Sequence, residues 1–478
     1  MEKILLKKIW VDVFLIFLMV LIAFCFFSST RDANINSRLS LVKAFVDENR
    51  FEIDSYHNTE LYTVDKAYFN GHYYSDKAIG ASVIGIGAYY VIRRVFYQLN
   101  IRLTPKLFRE WVTYFAISLP SALIVFPLYF VNLKISNDRL RSFLVTLAIC
   151  LGTPLFKYST AFYGHSLAAV FCFSAFSIWF HFKFKGLVSL PLVFLSAILL
   201  GFAFITEYPV GLIIFVLGCY ILFILFQLKT LLNWKIYALI LIGFLIPTSW
   251  QLLYNHQVFG SIFSFGYSHE ATAEFQTAMA NAMGFGLPNL HVFWYQTFHP
   301  SLGIMWQSPI LLASIVGWVF MAKNKDYRAE FFFSIFVIIA YLLLFSGYYM
   351  WWGGIAVTPR HIIPILPFFT LPLMFLPKKL SPLFLILLFI SIFQNLVLTA
   401  SGYLGLYEFF ERLISGNFIL VCTKPLVYEI SLPNLLAGDL MNNRGIDLLK
   451  LPGLISLLPL LVVEAALFVY IKMRVPRA

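Results

Sequence analysis

Apolar runs long enough to cross a bilayer recur from one end of this chain to the other, and no other feature restricts its fold so severely. A helix needs about 17 to 25 apolar residues to span roughly 30 Å of hydrocarbon. Inside lipid, every backbone polar group has to be satisfied within its own segment. The composition agrees, with 60% of the 478 residues hydrophobic and 12% charged, and a mean hydropathy of +0.82. Soluble domains do not have this make-up. The expected fold class is all-α, a polytopic transmembrane helix bundle of about 12 to 13 membrane segments.

The first run, "VDVFLIFLMVLIAFCFF" (Val11 to Phe27), follows "MEKILLKK" and has no small-residue cleavage site after it, so residues 1–27 read as a retained signal anchor. Cys25, Cys150, Cys172 and Cys219 lie in apolar runs and Cys422 in a long polar connection. That distribution suits packing residues better than a disulfide framework. The formal net charge of +12 raises the question of a polyanionic partner, and the positions of the basic residues answer it. Lys3, Lys7 and Lys8, then Lys134, Arg139 and Arg141, Lys183 and Lys185, Lys229 and Lys235, Lys323, Lys325 and Arg328, Lys378 and Lys379, and Lys472, Arg474 and Arg477 all sit in short connections. This is the positive-inside pattern of a membrane protein. Membrane lipids are therefore the expected partners, nucleic acid is not, and both ends of the chain are expected on the cytoplasmic side.

With those connections inside, the other helix ends face outward. They comprise residues 28–77, Gly152 to His165, Thr206 to Pro209, Asn255 to Ser301, Trp351 to His361, and Ser401 to Gly453. The organisation is then a signal anchor (1–27), a first outer loop (28–77), a helix bundle (78–400) with an outer loop at 255–305, and a last loop and helix (401–478). One parity problem remains. Ala78 to Phe96 and Trp111 to Leu133 both look able to span, and two crossings would put Lys134 to Arg141 outside. The expectation is twelve full crossings, with one segment re-entrant or lying along the interface.

The first outer loop is about fifty residues long, too long for a mere connector. Ile35, Leu39, Val42 and Val46 recur at helical spacing, which predicts a helix lying flat on the membrane. Among the carboxylates of the loop are Asp32, Asp54, Asp65 and Asp76. Taken singly, each reads more readily as part of a solvated face. Their company is what matters: Lys77 at a helix start, Arg360 beside His361, His165 and Glu207 near helix ends, and His299 in an outer loop. Ionisable groups at the edge of hydrocarbon are costly and mark sites or pathways. The bland alternatives are a snorkelling lysine, a structural ion pair for Arg360, and core histidines. No His-x-x-x-His or Cys-x-x-Cys spacing points to a dedicated metal site, and a divalent cation stays open as a cofactor. Asp-x-Asp is missing, as is a Gly-rich helix start for a diphosphate, which disfavours nucleotide-sugar use.

Four stretches, in order, resemble blocks of bacterial membrane glycosyltransferases of the GT-C type, the superfamily of the protein O-mannosyltransferases and the lipid A aminoarabinose transferase. They are "GHYYSDKAIG" (Gly71 to Gly80), "GTPLFKYSTAFYGH" (Gly152 to His165), "FHPSLGIMWQSPILL" (Phe298 to Leu312) and "YYMWWGGIAVTPRHIIPILPF" (Tyr348 to Phe368). The resemblance spans residues 10–370. It implies an enzyme of the bacterial cytoplasmic membrane that takes a sugar from a polyprenyl-phosphate donor. The acceptor would be a lipid, a glycan or a protein on the outer side.

In that family the base is an acidic residue of the first outer loop. Counting back from Val42 to Asn49, its place falls on Asn34 and Ile35, neither of which can act as one. Asp32 and Asp54 are the remaining catalytic candidates. Lys77, Arg360 and His361 are the candidates for the donor phosphate, Lys77 as a point charge and Arg360 as a planar fork. Asp65, Asp76, His165, Glu207 and His299 are further cavity candidates, with Asp76 placed to cap the helix that follows it. Two other classes compete. A lipid-linked glycan flippase or transporter would favour internal repeats, and none is visible. An O-antigen-type polymerase or ligase would lack the acidic first loop.

Overall fold

A computed structural model describes residues 2–28, 32–402, 406, 409 and 425–475. Cys422, Arg477 and part of the last outer loop lie outside the described residues. Among the described residues, eight helices are long and apolar enough to cross a membrane: Lys7–Phe26, Pro105–Ser136, His165–Lys185, Tyr208–Gln227, Trp234–Phe259, Lys325–Ser346, Lys378–Ala400 and Gly453–Arg474. Leu190–Thr206, Pro309–Ala322 and Arg360–Leu373 are shorter apolar helices. Among the described residues the only sheet is one two-stranded hairpin. The chain is an all-α, multi-pass membrane protein, as its apolar runs require.

The chain divides into two compact units, one of residues 1–28, 122–158 and 287–478, the other of residues 29–121 and 159–286. In the first unit, helix α1 (Glu2–Phe26) carries Asp12, whose side chain is fully buried between Arg139 and Arg474, with Arg474 Nε at 3.3 Å. A buried carboxylate has to be paired, and this pairing brings the connection at 134–141 and the basic end of the last helix to the same end of α1. Of the two competing segments, Pro105–Ser136 is among the spans. Gly80–Gln98, which carries Arg93 and Arg94, is not.

The second unit holds the first outer loop. Helix α2 (Ala33–Glu48) begins at Asp32, whose Oδ1 accepts from the backbone N–H of Asn34 at 2.8 Å and of Ile35 at 3.3 Å. Such a cap contributes about 1 kcal/mol. The helix ends at Asn49, in the left-handed conformation (φ 53°). The helix forms where the apolar spacing predicts it, but it does not lie flat on a surface. Asn34, Asn36, Ser37 and Arg38 are buried along with Ile35, Leu39 and Val42, because the polar face packs into this unit's own interior.

Beyond α2 the chain turns into a hairpin of β1 (Ala67–Phe69) and β2 (His72–Tyr74), paired in antiparallel register from Ala67 with Tyr74 to Phe69 with His72. Asn70 and Gly71 connect the strands, both at positive φ (49° and 90°). That geometry matches the right-handed twist of a two-residue hairpin and favours the Asn-Gly pair. Leu41, Ile53, Ala67, Tyr74, Ile79, Tyr254, Val258 and Phe259 form a core beneath it. Each fully buried side chain of this size contributes about 1.5 to 3 kcal/mol. Helix α3 (Gly80–Gln98) follows the hairpin.

Candidate functional site

The residues between the hairpin and α3 turn inward. Lys77 Nζ lies 2.9 Å from Asp65 Oδ2 and also pairs with Asp76 Oδ2. Asp76 Oδ1 accepts from Ser37 Oγ of α2 at 3.1 Å, and Ser37 Oγ is 2.9 Å from Ser75 Oγ. Tyr267 presents its ring to the ammonium at 5.6 Å, a cation–π arrangement. The side chain of Asp76 is fully buried, while those of Lys77 and Asp65 keep 11% and 13% exposure. Burial opposes the charge on Lys77, but Asp65 and Asp76 outweigh it and raise its pKa well above the usual lysine value. Its contribution to stability is therefore present below the unfolded value of about 10.4 and is lost only as pH rises through the higher folded one.

Glu270 completes the group. Gly266 lets its segment approach, since a Cβ there would sit 2.7 Å from Asp76 Cα. Burial first, and then the charge of Asp76, push the Glu270 carboxyl up to about 10, and it lies within hydrogen-bond reach of Asp76. At neutral pH it is a protonated acid that can donate. Two aspartates, one ammonium and one neutral acid leave this cluster with a net charge of about −1. Because the ammonium already sits among the carboxylates, a divalent cation does not fit there. No group of three or more His, Cys, Asp or Glu side chains among the described residues is placed to hold one.

A second chain of polar groups starts one residue along α2. Arg38, 1% exposed in its side chain, donates from Nε to Asn34 Oδ1 at 3.1 Å, from Nη1 to the Ala78 carbonyl at 2.8 Å, and from Nη2 to Glu207 Oε1 at 3.1 Å. His165 Nδ1 is 3.3 Å from the same Glu207 oxygen. Ser37 and Arg38 thus grip the segment 75–78 from neighbouring positions, one through Asp76 and the other through Ala78.

The structure sorts the sequence candidates. Asp65, Asp76 and Lys77 come together, and Glu207 and His165 come together around Arg38. Asp32 is occupied as a helix cap. Asp54 lies at the surface, 40% exposed in its side chain, where it pairs with His72 at 2.7 Å and accepts from the Tyr73 N–H at 2.8 Å. It holds the hairpin. Asp76 does not cap a helix, contrary to expectation: α3 starts at Gly80 and its N-cap is Ile79, with no side-chain cap, because the carboxylate is taken up by Lys77 and Ser37. His299, Arg360 and His361 belong to the other unit. There the His299 ring is 2.7 Å from Ser301 Oγ, Arg360 is buried, and His361 stacks on Phe345 at 5.1 Å.

Arg38, Tyr267 and Glu270 are not among the sequence candidates. Arg38 had a legible signal, because it falls three residues after Ile35 and four before Val42, on the apolar stripe of α2. Tyr267 and Glu270 had none beyond their residue types.

The acid in this cluster sets a pH dependence. A carboxyl whose folded pKa is raised contributes stability that is full below its unfolded value, about 4.3, and falls as pH rises toward the folded one. Glu270→Gln keeps the donor and removes the titration. It is expected to melt with the wild type at pH 4 and above it at pH 8. Parallel melting curves at both pH values would show that Glu270 is not buried as an acid.

No family model matches the chain, and no curated protein sequence matches it. Two solved structures of ArnT from Cupriavidus metallidurans, one bound to undecaprenyl phosphate and one in the apo state, align with 90% of this chain and 75% of theirs. The identities are 13% and 12%, and the TM-score is 0.45 in both cases. A likeness of that degree carries nothing about activity.

Proposed function

We propose that this protein is a membrane glycosyltransferase of GT-C type. It would move a sugar from a polyprenyl-phosphate donor to a lipid, glycan or protein acceptor at the outer face of the bacterial cytoplasmic membrane. The observation that carries the reading is the Lys77 cluster, an ammonium enclosed by carboxylates directly after the hairpin, in a chain whose four sequence blocks resemble this family in order. Ionisable groups gathered at the edge of hydrocarbon mark sites or pathways.

The reaction needs a base for the acceptor hydroxyl and a cation for the phosphate that leaves. Asp65 is the carboxylate of the Lys77 pair that keeps an exposed edge. The acceptor O–H proton passes to Asp65 while the acceptor oxygen bonds to the anomeric carbon. The bond from that carbon to the phosphate oxygen breaks, and its electron pair stays on the phosphate. Protonation of Asp65 removes one of the two countercharges of Lys77, so the ammonium can turn to the phosphate as negative charge develops there. Proton transfer and leaving-group stabilisation are coupled through one ion pair.

Mass spectrometry of envelope glycans and polyprenyl-phosphate sugars, with and without the gene, tests the reading. The expected result is a lost product and an accumulated donor, which would identify acceptor and sugar together. Unchanged donor and product pools would overturn transfer, and a lipid-linked glycan stranded on the inner leaflet would favour a flippase.

A further inference from the structure

The hairpin and the segment carrying Glu270 also border an open cavity of about 310 Å³, lined by Tyr68, Tyr73, Ser268, His269, Glu270 and Gln276. That volume is at the small end of ligand pockets, roughly 300 to 1,000 Å³, and suits one or two sugar rings. The two sides are fastened together. Ala67 and Glu270 form an antiparallel bridge, and the Ala271 N–H donates to the Lys66 carbonyl at 2.9 Å. The pocket is therefore built into the fold.

Its lining combines two kinds of group. Tyr68 and Tyr73 stand with ring centroids 5.0 Å apart, and Tyr68 is 50% exposed. Tyr73 is held by the His57 ring at 4.3 Å and the Lys66 ammonium at 4.7 Å. Around the phenols stand a hydroxyl, an imidazole, a carboxyl and an amide. His269 is fixed by Ser264 Oγ at 2.8 Å and stacks on Phe259 at 4.8 Å. Burial lowers its pKa, so it is neutral at pH 7. Glu270 is only 6% exposed, and its Oε2 has no hydrogen-bond partner among the described residues.

The charge balance narrows the ligand. The lining side chains include no lysine or arginine to hold a phosphate, and an apolar tail would strand the polar lining. A neutral ring with one C–H face and several hydroxyls satisfies both sets of groups. We propose that this cavity binds a pyranose ring, with Tyr68 and Tyr73 against its C–H face and His269, Glu270 and Gln276 bonding its hydroxyls. Its place in the reaction, as the site of the donor's sugar or of an acceptor sugar, rests on the glycosyltransferase reading; the binding does not.

The test is saturation-transfer NMR on the full chain in lipid nanodiscs, with the methyl pyranosides of glucose, mannose and galactose as probes. At least one probe is expected to receive saturation from the wild type. Binding should be about tenfold weaker in Tyr68→Ala and unchanged in Tyr97→Ala, a control on α3 whose ring is 85% exposed. Adding a polyprenyl-phosphate hexose separates the sources: suppression of the signal, with none by polyprenyl phosphate alone, marks the donor's sugar, and persistence marks an acceptor. No transfer to any of the three probes, or equal binding by Tyr68→Ala, overturns the pocket. Those outcomes leave the gene-dependent change in donor and product pools untouched, so the two readings fail separately.

Discussion

Replacing Arg38 by alanine is expected to leave little folded protein in the membrane. Its guanidinium has three partners inside the second unit, on Asn34, Ala78 and Glu207, and the Glu207 side chain is itself only 12% exposed. Removing one member of a buried pair strands the other, at a cost of about 3 to 5 kcal/mol. That is a large part of the 5 to 15 kcal/mol by which proteins are typically stable. Removing both charges is a different experiment. Arg38→Met with Glu207→Leu keeps the volume and strands no charge, so it should recover much of the folded yield. Size-exclusion profiles after a heating series measure all three proteins. If Arg38→Ala melted with the wild type, the Arg38–Glu207 pair would be no part of what holds α2 in place.

Asp65→Asn should lower the rate of sugar transfer by about a hundredfold to ten-thousandfold, the range for loss of a general base, while the protein remains inserted. The amide keeps its volume and an oxygen for Lys77 but cannot take the proton. Lys77→Ala should do more damage, because Asp65 and Asp76 would then face each other without the ammonium and both folded yield and turnover would fall. Asp32→Ala should cost only the cap, about 1 kcal/mol, and Asp54→Asn only the hold on the hairpin, with turnover retained in each. Donor consumption in nanodiscs, normalised to folded enzyme, distinguishes these outcomes. Wild-type turnover by Asp65→Asn would remove it as the base and return attention to Asp32 and Asp54.

Much of the scaffold was legible in advance. The spans follow from apolar length, and α2 from the spacing of Ile35, Leu39, Val42 and Val46. The turn at Asn70 and Gly71 was half legible. The Asn-Gly pair is a strong local signal of a two-residue hairpin, but the strands on either side, three residues each, are too short to show an alternating pattern. Asp32 ahead of α2 had the position of a helix cap, although the family pattern drew it toward catalysis. In the site, Asp65, Asp76, Lys77, His165 and Glu207 were among the candidates, but their grouping was not foreseen.

What the sequence determined by itself was the class of environment and the elements suited to it. A bilayer has a fixed thickness and offers no hydrogen bonds, so length and apolarity alone decide which segments can cross it. Helix spacing and the Asn-Gly turn are also local, each set within a few residues. Partners are not. Glu207 meets Arg38 across 169 residues of chain, and Glu270 reaches Asp76 only because Gly266 admits its segment. A charge pair needs an approach of about 3 Å, and no pattern along the chain records which distant segment will supply it. Tertiary packing made that choice: it turned Asp76 from a helix cap into a countercharge, and it kept Glu270 a neutral acid by burying it beside carboxylates.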